Sequence, residues 1–220
     1  MTEIEEEILK RITDQLYWDN RVDATNINIQ VDGRTVELSG SVPSYSARQA
    51  AIFNAWSSKG VQKVINEIQV KYPPAMEIPS DNEIKTNIQS ILEWNPNIDE
   101  GTLTVEVKNG HVTLEGSVDA YWKKVKAEQS VSGVIGVLDI TNKLVIVPTK
   151  AVADEEIAQN IVAAIDRKIS VDVESVNVKV VDGKVTLSGT VSNWDAHNEA
   201  KQAAELTEGV KDVEDQILIA

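Results

Sequence analysis

One pattern governs what this chain can become: the same unit is written three times. Val36-x-Leu38-x-Gly40-x-Val42 returns as Val112-x-Leu114-x-Gly116-x-Val118 and as Val185-x-Leu187-x-Gly189-x-Val191. Gly60-Val61-x-x-Val64-x-Asn66-x-Ile68-x-Val70 returns as Gly136-Val137-x-x-Ile140-x-Asn142-x-Leu144-x-Ile146 and as Gly209-Val210-x-x-Val213-x-Asp215-x-Ile217-x-Ile219. Both patterns keep one spacing, 76 residues from the first copy to the second and 73 from the second to the third. Such self-similarity means three small units of the same fold rather than one or two larger domains. Proline-bearing segments, Tyr72 to Pro79 and Val147 to Ala151, separate them and stop the strands before them, because proline donates no ladder hydrogen bond. The expected units are residues 1–72, 80–147 and 152–220.

Within each unit the hydrophobic period changes in the order helix, strand, strand, helix, strand. Ile4, Ile8, Ile12 and Leu16 form one helical stripe, as do Ile84, Ile88 and Leu92, and Ile157, Ile161 and Ile165. Thr2 with Glu5 and Ser80 with Glu83 have capping-box spacing, and Asp154 is the expected cap of the third copy. Asp32-Gly33, Asn109-Gly110 and Asp182-Gly183 are hairpin turns; the first copy sets its glycine one position early, so its turn type should differ. The second helices carry small residues, Ala47, Ala51 and Ala55, then Ala127 and Val131, then Ala196, Ala200 and Ala204, which allow close packing. Gly60, Gly136 and Gly209 are expected to cap those helices at their C-termini. The pattern predicts an α+β fold: three tandem αββαβ two-layer sandwiches, each a three-stranded mixed sheet with two helices on one face.

These elements and motifs resemble the BON domain, named for bacterial osmotically inducible and nodulation proteins. The resemblance covers nearly the whole chain, and Asp215 departs from it where the other copies have Asn66 and Asn142. It implies a bacterial, envelope-associated protein that binds phospholipid or another envelope component, often in the periplasm, with no catalytic residues. A soluble protein-interaction or stress scaffold without lipid binding is the alternative.

Little in the sequence speaks for chemistry. Without cysteine there is no disulfide, thiol nucleophile or Cys-based zinc site. The two histidines, His111 and His197, lack metal-site spacing and are expected on the surface. Phosphate-binding loops and the nucleophile elbow are absent. The acids Glu5-Glu6-Glu7 and Asp154-Glu155-Glu156 fall in first helical turns, where the helix dipole favours negative charge. Hence no catalytic, metal or cofactor residue is expected. No apolar run spans a bilayer, and the acidic amino terminus is no secretory signal, so the chain as it stands is expected in the cytoplasm; had a leader been removed, the periplasm would be expected instead.

A formal charge of −14 disfavours nucleic acid, whose binding needs cations to release counterions. That charge is graded. The first unit has 8 Lys and Arg against 10 Asp and Glu, the second 6 against 10, and the third 6 against 14, so the third is the least suited to an anionic surface. The aromatics are the main contact candidates. Trp18 and Trp94 are equivalent, with Arg167 in the third copy; Tyr45, Tyr121 and Trp194 are equivalent at the start of the second helix. Such rings can close a core edge or rest on a lipid interface, and core-edge packing is the expectation for these repeated ones. Trp56 and Trp122 have no aromatic counterparts and are expected to be the exposed, copy-specific contacts. Outward Val145 and Val147, and Leu218 in the third copy, imply that the outer sheet faces of the later copies are covered by a neighbouring copy or a second chain.

Overall fold

The computed structural model describes residues 2–98 and 103–219; Met1 and Ala220, at the outer limits of the first and third units, lie outside them. The first copy runs α1 (Glu3–Trp18), β1 (Ile27–Asp32), β2 (Thr35–Val42), α2 (Tyr45–Ser57) and β3 (Lys63–Val70). The second has α3 (Asp81–Glu93), β4 (Leu103–Lys108), β5 (His111–Val118), α4 (Tyr121–Val131) and a last strand broken into β6 (Asp139–Asn142) and β7 (Val145–Ile146). The third repeats the first with α5 (Asp154–Asp166), β8 (Val176–Val181), β9 (Lys184–Val191), α6 (Trp194–Glu205) and β10 (Asp212–Ile219). By compactness the chain divides into one unit of Met1–Leu92, Val105–Thr113 and Gln129–Thr141 and another of Glu93–Thr104, Leu114–Glu128 and Asn142–Ala220. The middle copy contributes to both.

Each sheet is mixed. β1 pairs antiparallel with β2 (Ile27 opposite Gly40) and β2 pairs parallel with β3 (Thr35 opposite Lys63), with the hairpin's second strand in the centre. The third copy keeps this register, Val176 opposite Gly189 and Lys184 opposite Asp212. In the middle copy the order is β4, β5, β6, and β7 resumes the parallel pairing at Ser117 and Val118. One face of every sheet is apolar, and the first-helix stripe packs down on it: Ile8, Ile12, Leu16, Ile84, Ile88, Leu92, Ile157, Ile161 and Ile165 are all buried, while Ile4 is exposed. Full burial of each such side chain stabilises by about 1.5–3 kcal/mol. The alanines of the second helices are buried as well.

The caps differ in a telling way. Thr2 and Glu5 form the capping box, as do Ser80 and Glu83, whose carboxylate accepts the Ser80 N–H at 2.8 Å. Asp154, expected to cap α5, does not: Ala153 occupies the cap without a side-chain bond. Asp154 instead accepts the N–H groups of Asp182 and Gly183 at the hairpin turn, at 2.7 and 2.8 Å. Asp81 does the same for Asn109 and Gly110, at 2.7 and 3.0 Å, and Glu5 accepts the Gly33 N–H at 2.9 Å. Glu5, Asp81 and Asp154 are equivalent positions, so every copy fastens the start of its first helix to its own hairpin through a charge-assisted bond. The turns differ as expected, with one positive φ at Gly33 but two in succession at Asn109-Gly110 and Asp182-Gly183.

The motif glycines serve close approach. Gly40 and Gly189 have φ of +106° and +127°, and a Cβ there would run into the carbonyls of Asn26 and Ser175. Gly60 and Gly209 are not the caps of their helices, which end on Ser58 and Leu206. With Gly136 they lie in the loop before the last strand, φ between +89° and +96°, facing Ile8, Ile84 and Ile157 of the first helices. Gly189→Ala is expected to lower stability by roughly 2–4 kcal/mol through strain and a backbone clash, whereas Gly33→Ala, with open space around it, should cost only about 1 kcal/mol. Urea unfolding of both variants measures the difference.

Candidate functional site

The exposed chemistry of this protein gathers where each first helix ends. Trp18, the last residue of α1, is 81% exposed, and Tyr17 beside it packs edge-on at 5.3 Å while itself 75% exposed. Trp94, just past α3, is 86% exposed. In the third copy the position is Arg167, followed by Lys168 and then Ile169, which projects fully into solvent. Core-edge packing, expected for Trp18 and Trp94, is therefore corrected. The stripe that anchors each helix stops at Leu16 or Leu92, and the next ring lies off its buried side.

The other aromatics reverse in the opposite sense. Trp56 is half-buried against the first core, and Trp122 is half-buried with the Lys123 ammonium 5.7 Å from its ring centre. Neither stands out into solvent as the lack of aromatic counterparts suggested, because both ride on second helices, which the small residues bring close to the sheet. At the start of those helices Tyr45 is buried and Tyr121 and Trp194 are half-buried. Burial, with the nearby carboxylates of Glu205, Asp212 and Glu128, pushes the Tyr121 hydroxyl up to about 12.

Asn66, Asn142 and Asp215 share a backbone role. Their side-chain oxygens accept the N–H two residues on, from Ile68, Leu144 and Ile217, at 3.1, 3.2 and 3.1 Å. Asn142 also donates to the Lys124 carbonyl at 2.9 Å. Asp215 uses its second oxygen differently: it lies 2.9 Å from Nε2 of His197. His197 is only 7% exposed and stacks on Trp194 with ring centres 4.8 Å apart. The expectation of a surface His197 fails because the acid that makes its burial tolerable stands 18 residues away on another element. His111 is exposed.

Two further features were not read from the sequence. Arg21 holds Asp19 well below the usual carboxylate range by hydrogen bonding, and Asp19 also accepts from Asn54 at 2.7 Å. Between α5 and α6 lies an open cleft of about 570 Å³ floored by Ala163, Ala164 and Ala203, with Arg167 and Lys168 on its lining. Small residues at helix-facing positions are its only sequence signal. Val145, Val147 and Leu218, expected on outer sheet faces, stand 60%, 59% and 62% exposed. Among the described residues no cluster of His, Asp and Glu could hold a metal ion, and no helix is long and apolar enough to cross a membrane.

Comparison with known proteins agrees with the repeat. The family model described as the BON domain matches residues 4–72, 80–148 and 153–220. Osmotically-inducible protein Y of Escherichia coli (strain K12) is 24% identical over 180 residues, which cover 79% of this chain and 86% of that protein. Among solved structures, the C-terminal domain of CdsD, the structural protein of the Type III secretion system of Chlamydia trachomatis, aligns over 100% of this chain and 98% of its own at 13% identity and a TM-score of 0.27. The periplasmic domain of the inner membrane protein PrgH from S.typhimurium aligns over 89% and 96% at 12% identity and a TM-score of 0.22. The chain belongs to the BON domain family.

The acid on β10 has a consequence for stability. Burial alone would raise Asp215, but the hydrogen bond and charge of His197, with help from Ile217 N–H and Lys201, outweigh it and hold the carboxyl below its ordinary value. Its contribution to folding is therefore full above the unfolded carboxylate range and is lost as pH falls through the folded value. Urea midpoints between about pH 5 and pH 3 are expected to fall more steeply for the natural chain than for Asp215→Asn. Parallel curves would show that the pair contributes nothing.

Proposed function

We propose that this protein is a non-catalytic binding protein that associates with phospholipid, or with another envelope component, in the osmotic-stress response of a bacterium. The observation that carries this reading is the exposure of Trp18 and Trp94 at equivalent helix ends, with Tyr17 beside the first. A soluble protein gains nothing from keeping three large rings in water, whereas an indole is well placed at the boundary between headgroups and acyl chains. Arg167, Lys168 and Ile169 supply the third copy with two cations and an apolar tip at the same place, so its local surface suits an anionic headgroup better than its overall charge suggests. Membership of the BON family and the name of the osmotically inducible relative support the stress setting. Periplasm is the compartment if a leader precedes the chain, and the cytoplasmic leaflet otherwise.

The exposed Val145, Val147 and Leu218 favour a second reading, a protein-interaction scaffold whose partner lies on the outer sheet faces. Cosedimentation with liposomes separates the two. Vesicles of zwitterionic lipid with about one third anionic lipid are expected to carry the protein down, and Trp18→Ala with Trp94→Ala to weaken binding roughly tenfold. Trp56→Ala should leave binding within about twofold, since its half-buried ring belongs to the core. Absence of binding at low salt would exclude the lipid reading. Retention by a protein partner that is lost on Val145→Lys would then select the scaffold.

A further inference from the structure

Equivalent positions of consecutive copies stand near one another at both junctions. On α2, the Arg48 guanidinium lies over the Tyr45 ring, 4.6 Å from its centre, and donates to Asp139, the first residue of β6 in the next copy, at 2.6 Å. Moving one copy along turns Tyr45, Arg48 and Asp139 into Tyr121, Lys124 and Asp212. There the half-buried Tyr121 hydroxyl sits in the field of Asp212 and of Glu205, both from the third copy. At the first junction a ring and a cation one helical turn apart thus face the acid that opens the next copy's last strand; at the second the ring does so, while Asp212 lies 3.8 Å from Lys184 of its own copy. The first junction is reinforced by Tyr72, whose hydroxyl accepts the Gly136 N–H at 2.8 Å and donates to the Val137 carbonyl at 3.2 Å.

Neither the start of α6 nor the strand start of the first copy keeps this chemistry. At the third copy the ring and cation become Trp194 and His197, and His197 is engaged inward by Asp215 of its own copy. Asp215 stands where the other copies have Asn, so the inward partner exists only here. At the first copy the position of Asp139 and Asp212 is Lys63, an exposed cation. A head-to-tail contact that does not close on itself propagates without limit unless its terminal units differ. Setting a cation where the contact needs an acid is a direct way to forbid it.

We infer that the start of each second helix is a docking surface for the acidic strand start of the next BON copy, and that Lys63 and the His197–Asp215 pair block the same docking between chains. The occupant of this surface is the chain's own following copy.

The test uses two full-length variants and analytical ultracentrifugation at low salt. Lys63→Asp creates an acidic acceptor on a chain whose α6 is still blocked; His197→Arg with Asp215→Asn opens α6 on a chain whose acceptor is still Lys63. Each alone, like the natural chain, is expected to remain monomeric, and their mixture to approach twice the mass of one chain and to return to monomer in about 1 M salt, where screening acts within ~3 Å. If that double substitution abolishes the cooperative melt seen by circular dichroism, His197→Lys with Asp215→Asn, the pair the second copy carries as Lys124 and Asn142, takes its place in the mixture. A mixture of folded variants that stays monomeric, or a natural chain that associates through α6, overturns the inference.

Discussion

Everything in this protein depends on covering one apolar sheet face in a unit of about seventy residues. A three-stranded sheet has too little area to close on itself, so two helices must lie on it, and their placement must be enforced by few contacts. The first helix is held at both of its functional points. Its aliphatic stripe presses on the sheet, and the carboxylate of Glu5, Asp81 or Asp154 fixes its start to the hairpin turn. The glycine ahead of the last strand then leaves room for the isoleucine of that same helix, Ile8, Ile84 or Ile157. These three constraints are local to one copy, which is why the pattern can be repeated with so little else in common.

What remains outside those constraints is free to vary, and there the copies acquire their differences. Trp18, Trp94 and Arg167 come after the last buried residue of each first helix and stand exposed. The second helix packs its small residues into the core, and its rings are half-buried even where no other copy has one, as at Trp56 and Trp122. The net charge of each copy is likewise a poor guide to its contact surface. The third copy is the most acidic, yet its helix tip presents Arg167 and Lys168, neither in an ion pair among the described residues, while much of its acid is spent in the first turn of α5 and along β10.

Legibility followed the range of the interaction. Periodicity, turn residues and capping boxes act within a few residues, and from them the order of elements, the parallel third strand and the α+β sandwich were readable. Misreadings arose wherever a partner came from another element. Asp154 looked like a cap because capping is judged over three residues, but its bonds go to a turn 28 residues on. Gly60 and Gly209 looked like helix ends for the same reason, though the contact that demands glycine is with the first helix. His197 looked like a surface residue because Asp215 is distant in sequence. The departure of Asp215 from the Asn of the other copies was visible as an oddity, and only its neighbour in space explains it.

The sequence by itself determined that three copies of one αββαβ unit exist, where their strands and helices fall, and which aliphatic side chains make each core, because these follow from periods of 2 and 3.6 and from turn chemistry. Tertiary structure decided which aromatics face solvent, which acids pair with which cations, and how one copy meets the next. Those depend on distances between elements, and distance across a packed interface is written in no single stretch of chain.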